Sequence, residues 1–271
     1  MNLNNNIEFD PLECEPISKK SMVIFFLVDN SGSMAGTKLG SINTVMEEII
    51  PKLRGVGGAT TDVKLAVMSF SDECKWITPE PISIDEYQCW ERLKPEGLTS
   101  MGEAFRELSS KLSRSEFLKS PSLSYAPVIF LITDGLATDD AISGLKVLKN
   151  NKWYKYALKV SCGISIDSDS EYIKPYDEEI LEKFTGNREL VFDAPTSEQL
   201  EKLVKTIVVT SSQIGSKSVT LVDNDGQERR EEDVTGIKED KLTDEIKTIM
   251  NEPGDGTWDP VDPIDDNDIE W

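Results

Sequence analysis

Apolar positions follow two rhythms that alternate along this chain. Met22 to Val28 (M-V-I-F-F-L-V) is a short unbroken apolar run, which predicts a strand buried on both faces. A turn-rich segment, Asp29 to Gly36, comes next. From Thr37 to Leu53 the apolar residues Leu39, Ile42, Val45, Met46, Ile49 and Ile50 fall on one helical stripe, ended by Pro51 and Gly55 to Gly58. The pattern then repeats. Strands are predicted over Asp62–Phe70, Pro127–Thr133, Leu158–Ile164 and Glu189–Phe192, with a short edge strand over Cys74–Thr78. Helices are predicted over Ser100–Leu112, Asp139–Lys149, Asp177–Phe184 and Thr196–Ser212. Ser100 with Glu103 reads as a capping box for the first of these, and Asp139 with Asp140 as an N-terminal cap and dipole partner for the second. Alternating strands and helices imply an α/β fold, a doubly wound and mostly parallel sheet with helices on both faces.

The chain has 271 residues, room for one large α/β domain and an appendage. Its net charge of −21 argues against nucleic acid or an anionic membrane surface as the partner, since both require a basic face. No apolar run is long enough to span a bilayer. Met1 to Glu15 is Asn-rich and acidic, unlike a secretion signal, and the four cysteines (Cys14, Cys74, Cys89, Cys162) are scattered. The expectation is a cytoplasmic chain with reduced, idle thiols. Histidine is absent, which removes Ser-His, Cys-His and His-ligated zinc chemistry.

Composition shifts near Ser211. Between Val222 and Trp271 there are 18 acidic and 5 basic residues, a charge balance that usually leaves a segment disordered. Within it, Ile237 to Met250 reads as a weak helix. The stretch W-D-P-V-D-P-I-D-D-N-D-I-E-W alternates acids with Pro, Val, Ile and two tryptophans, a composition compatible with partner binding.

The candidate chemistry sits where the first strand runs into D-N-S-G-S-M, residues Asp29 to Met34. Ligands of open parallel sheets bind beyond the carboxyl ends of the strands. Asp29, Ser31 and Ser33 alternate on a tight loop there, with Gly32 and Gly36 permitting unusual backbone angles. One carboxylate and two hydroxyls are hard oxygen donors, suited to Mg²⁺, Mn²⁺ or Ca²⁺ and not to zinc or copper. Asp134 ends a second strand in I-T-D-G, and Thr99 lies in a helix-entry loop. Taken singly, each residue has a plainer role as a turn or cap residue. Together they make a ligand set.

D-x-S-x-S, a distant Thr and a distant Asp in a D-G turn resemble the von Willebrand factor A family and its metal-ion-dependent adhesion site. Asp29, Ser31 and Ser33 match the first element, Thr99 the second and Asp134 the third. The resemblance covers about Ser21 to Gln213. It implies an N-terminal extension (1–20), an A domain (21–213) and an acidic C-terminal tail (214–271). It also implies the strand order 3-2-1-4-5-6 with an antiparallel edge strand 3. F-L-V-D-N-S-G-S-M-A-G, G-L-T-S-M-G-E-A-F and F-L-I-T-D-G-L-A-T-D-D are most similar to bacterial tellurium-resistance-type members. Those imply co-working kinases and phosphatases in stress or defence systems. The cysteine-rich zinc module that some of them carry is replaced here by the acidic tail.

The expected function is therefore binding without catalysis. A dication with one or two negative ligands and a water position stays electrophilic toward a partner's Asp or Glu. Two alternatives remain. One is a Mg²⁺-dependent phosphohydrolase with Asp29 as nucleophile, weakened by Ser at position 31 where a second carboxylate is wanted. The other is a self-assembling or autoinhibited regulator whose tail fills the ion site.

Overall fold

The run Met22–Val28 lies within β1 (Lys20–Asp29), the centre of the sheet, and all its positions but Lys20 are buried. The computed structural model describes residues 19–119, 124–134, 136–164, 178–193, 198–207, 243–249 and 251. After β1 come α1 (Thr37–Lys52), β2 (Thr61–Phe70), β3 (Cys74–Trp76), β4 (Ile82–Ser83) and α2 (Met101–Lys111). Then follow β5 (Val128–Thr133), α3 (Ala141–Asn150), α4 (Lys152–Tyr156), β6 (Leu158–Gly163), α5 (Glu178–Thr185) and β7 (Val191–Asp193). Residues 198–207 and 243–249 are also helical.

The sheet order is β3-β2-β1-β5-β6-β7, with the antiparallel β3 at one edge. This is the expected 3-2-1-4-5-6 order, with the two-residue β4 added as a seventh strand on β2. β1 pairs in parallel with β2 on one side and β5 on the other. The chain therefore changes winding direction between β1 and β5, and Val28 stands level with Ile132. That register puts the loop after Asp29 beside the loop after Thr133, at the crevice such sheets use for ligands.

Successive β1 side chains point to opposite faces and serve two cores. Met22, Ile24, Phe26 and Val28 pack with α1 and the helix over 198–207. Val23, Phe25 and Leu27 pack with α2, α3 and α5. Phe26 and Phe130 stack across the β1–β5 pair with centroids 4.9 Å apart. Each such side chain removed from water contributes roughly 1.5–3 kcal/mol, which accounts for the unbroken apolar runs Met22–Val28 in β1 and Val128–Ile132 in β5.

Several local expectations change. α1 continues through Pro51, whose ring sits in the last turn, and is capped at Leu53. The stretch from Glu189 opens as a 3-10 turn (Arg188–Leu190), and β7 starts only at Val191. The Ser100–Glu103 capping box does not form. Ser100 Oγ instead donates to the Asp72 carbonyl. The first amides of α2, on Gly102 and Glu103, donate to Asp139 Oδ1 and Oδ2 at 2.8 and 2.9 Å. A carboxylate from another loop outcompetes a local hydroxyl here because it satisfies two orphan donors at the positive helix end. Asp140 caps its own helix as expected, accepting from Ser143 N.

The acidic region also contributes to the body of the protein. In the helical residues 243–249, inside the expected Ile237–Met250 helix, Ile246 is fully buried with Leu200, Leu203, Val204 and Ile207. Lys247 pairs with Glu189. The rest of the expected tail, including Trp258 and Trp271, lies outside the described residues, as does Cys14. Truncating Ile246 to Ala should lower unfolding free energy by about 2–4 kcal/mol. Urea denaturation of the full chain measures this, and a loss under ~0.5 kcal/mol would mean that this helix adds nothing to the core.

Candidate metal centre

Asp29 is the last residue of β1 and is fully buried. Both of its oxygens are engaged. Oδ1 accepts the Ser31 amide at 2.8 Å, and Oδ2 accepts Thr133 Oγ1 at 2.5 Å. The chain then tightens into a 3-10 turn, Gly32–Met34, whose Met34 side chain is buried as an anchor. This turn brings Ser31 Oγ within 3.1 Å of Ser33 Oγ, and Ser33 Oγ donates to Asp134 Oδ1 at 2.8 Å. Four of the five expected ligands thus meet in one connected group.

Thr99 is buried nearby, but no hydrogen bond joins it to the other four. Its loop is nonetheless tied to theirs. The Gly32 amide donates to the Gly97 carbonyl at 3.0 Å, and Glu96 N donates to the Asn30 carbonyl at 2.8 Å. Thr99 N donates to Thr138 Oγ1 and the Thr99 carbonyl accepts from Thr138 N, which links this loop to the one after Asp134. Gly32 is needed for approach more than for backbone angle, since a Cβ there would stand 3.2 Å from the Gly97 carbonyl. Gly36, at φ +79°, is the residue that needs left-handed freedom.

Other residues complete the centre without having stood out in the sequence. Thr133 fixes Asp29, and only its place beside Asp134 hinted at a role. Lys38, in the first turn of α1, brings Nζ to 2.5 Å from Asp134 Oδ2. That ion pair leaves Oδ1 as the oxygen facing Ser33. Asp72 accepts Leu98 N at 2.9 Å and lies where a side chain on Gly97 (φ +55°) would clash. Asn43, buried on α1, accepts from Trp90 Nε1 and Leu93 N and donates to the Leu93 carbonyl, locking the approach to the Thr99 loop.

The donor set fits a small hard cation. Among the described residues no group of three or more His, Cys, Asp or Glu is placed to hold a metal. Two carboxylates and hydroxyl oxygens are a donor set that suits a hard divalent cation such as Mg²⁺, Mn²⁺ or Ca²⁺. The 3.1 and 2.8 Å separations along Ser31, Ser33 and Asp134 are hydrogen-bond lengths that hold these oxygens together in one cluster. Burial raises the Asp29 pKa, opposed by its hydrogen bonds to Ser31 and Thr133 and reinforced by the nearby Asp134 charge. A dication offsets both unfavourable contributions.

Residues 24–206 match the family model described as von Willebrand factor type A domain. Inter-alpha-trypsin inhibitor heavy chain H2 of Mesocricetus auratus is 27% identical over 213 residues, covering 73% of this chain and 21% of the relative. The chain therefore spans about a fifth of the length of the curated relatives it matches. Among solved structures, proximal thread matrix protein 1 from the mussel byssus aligns with 72% of this chain and 49% of its own, at 16% identity and TM-score 0.50. The pilus adhesin SpaC from Lactobacillus rhamnosus GG aligns with 71% of this chain and 31% of its own, at 13% identity and TM-score 0.50. Both share the fold.

With its pKa raised, Asp29 keeps its proton to higher pH in the folded chain than in the unfolded one. In chelator, its contribution to stability should therefore fall as pH rises from the ordinary value of 3.8 through the raised value. Urea unfolding of wild type and Asp29→Asn across that window should show the variant gaining relative stability with pH. A difference that stays flat would mean that burial does not perturb Asp29.

Proposed function

The chain belongs to the von Willebrand factor type A domain family, and from that premise we propose that it binds a partner protein through a divalent cation. Asp29, Ser31, Ser33, Thr99 and Asp134 hold the ion, Mg²⁺, Mn²⁺ or Ca²⁺, and an Asp or Glu carboxylate of the partner completes its shell. The observation that carries this reading is the continuous oxygen cluster Asp29–Ser31–Ser33–Asp134 at the switch point of the sheet.

The ion would supply an electrophilic centre, and the protein's own residues would set its character. Asp29 and Asp134 provide charge, Thr133 and the Ser31 amide orient Asp29, and Lys38 withdraws part of the Asp134 charge. A site with so little net negative charge favours an added anionic ligand. The same geometry disfavours the phosphohydrolase alternative. Asp29 is fully buried with both oxygens bonded, so it is poorly placed to attack a substrate.

The domain division is taken as 21–213 with 1–20 and 214–271 flanking it, the segment 243–249 packing back on the body. The motif phrases around Asp29, Thr99 and Asp134 support a place in a bacterial stress or defence assembly of the tellurium-resistance type, working with kinases or phosphatases. The free thiols Cys74, Cys89 and Cys162 accord with a cytoplasmic setting. No helix among the described residues is long and apolar enough to cross a membrane.

Calorimetric titration with Mg²⁺ and Mn²⁺ should give saturable one-to-one binding to wild type. Asp29→Ala should weaken it by at least about 100-fold, and Thr133→Val, which frees the Asp29 carboxylate, by about 10–100-fold. Affinity capture from native lysate with wild type and Asp29→Ala, each in Mg²⁺ or EDTA, then tests the partner. Recovery of the same proteins in all four conditions would remove the ion from the function.

A further inference from the structure

The surface around the ion ligands is apolar in a specific way. Leu98 is 60% exposed and Leu136 63% exposed, the two most exposed large apolar side chains among the described residues. Leu98 immediately precedes Thr99, and Leu136 lies two residues beyond Asp134. Their loops are bonded to each other through Thr99 and Thr138. The backbone that carries Leu98 is held in place, its amide donating to Asp72 at 2.9 Å. A ligand that suits this rim carries a carboxylate with a large apolar side chain beside it.

The chain's own sequence contains that pattern repeatedly. Between Trp258 and Trp271 the pairs Val261-Asp262, Ile264-Asp265 and Ile269-Glu270 each set an acid next to an aliphatic residue, and no basic residue interrupts them. Pro260 and Pro263 reduce the conformational freedom lost on docking. The segment is also within reach. The helical residues 243–249 are anchored by Ile246 and by Lys247 on Glu189, close to β7. β7 stands three strand spacings, about 14 Å, from β1, and Glu189 lies four residues, about 13 Å, before Asp193, which is level with Thr133, so the direct path is about 20 Å. Six residues lie between Asn251 and Trp258, and their seven Cα–Cα steps span up to about 23–25 Å, which the residues that follow extend further.

We propose that residues 258–271 dock on the ion site of their own chain, with one carboxylate at the ion and flanking aliphatic side chains on Leu98 and Leu136. This rests on the ion-site reading above and names an occupant for it. An outside partner then has to displace the segment, which makes the acidic region a built-in competitor that sets the threshold for binding.

The test uses a fluorescent peptide of residues 258–271 and two full-length proteins, wild type and a variant with all six acids of that segment changed to their amides. Anisotropy in Mg²⁺ should show the peptide binding the amidated chain at least about tenfold more tightly than wild type, because a tethered competitor acts at an effective concentration near millimolar. Adding Leu98→Ser and Leu136→Ser to the amidated chain should abolish that binding while Mg²⁺ titration and circular dichroism stay unchanged, as should EDTA with no substitution. Equal peptide affinity for wild type and the amidated chain overturns the proposal. So does failure to bind either chain when calorimetry shows Mg²⁺ in the site, and in that case the ion-site reading survives. Absence of Mg²⁺ binding defeats both. A wild-type dimer by light scattering that dissolves on amidation would place the segment on a neighbouring copy and overturn docking within one chain.

Discussion

A carboxylate fully removed from water is the constraint around which the carboxyl edge of this sheet is organised. Asp29 ends a central strand buried at every position after Lys20, and its charge is opposed there by desolvation and by Asp134. The Ser31 amide and the Thr133 hydroxyl each supply a hydrogen bond that favours the ionised form. Those partners require the turn after β1 to close tightly and β5 to lie in register beside it, so Gly32, Gly36 and the β1–β5 pairing follow from the same need. A buried ionised group without such partners costs several kcal/mol. A bound dication is the natural completion of an arrangement in which two carboxylates share one crevice.

Around this centre, loops from four parts of the chain are fastened to one another before any ligand arrives. Asn43 on α1 grips Leu93, Asp72 grips Leu98, Gly97 takes the Gly32 amide, and Thr138 brackets Thr99. Each of these bonds ends on a backbone group, so the loop backbones are held as part of the scaffold. Lys38 adds an electrostatic refinement by engaging one oxygen of Asp134 and leaving the other toward Ser33. The result is a site whose charge and orientation are both set by residues that do not themselves face a ligand. Leu98 and Leu136 stand exposed on the loops that carry Thr99 and Asp134.

The fold was largely legible in the sequence because its signals are physical and local. Met22–Val28 and Pro127–Thr133 are too short for helices and too apolar for edge strands, so both read as central strands. The stripe from Leu39 to Ile50 has only one helical solution. Asp29, Ser31, Ser33 and Asp134 were legible because alternation on a turn and a D-G step after an apolar strand are visible without coordinates. Local cues failed where a distant group competes with a near one. Ser100 and Glu103 have capping-box spacing, yet Asp139 takes the helix amides. The acidic composition after Ser211 predicts disorder, yet the apolar face around Ile246 is enough to seat 243–249 on the core.

The sequence by itself determined the strand–helix alternation, the depth of the two central strands and the oxygen chemistry at their ends, because periodicity and residue type act over a few neighbouring positions. Tertiary structure alone decided that Thr133 and Lys38 serve the two aspartates, that Asp72 and Asn43 hold the loop carrying Thr99, and that part of an acidic segment is core. Those outcomes depend on contacts between residues tens of positions apart, which arise only when the register of β1 against β2 and β5 fixes which loops share an edge.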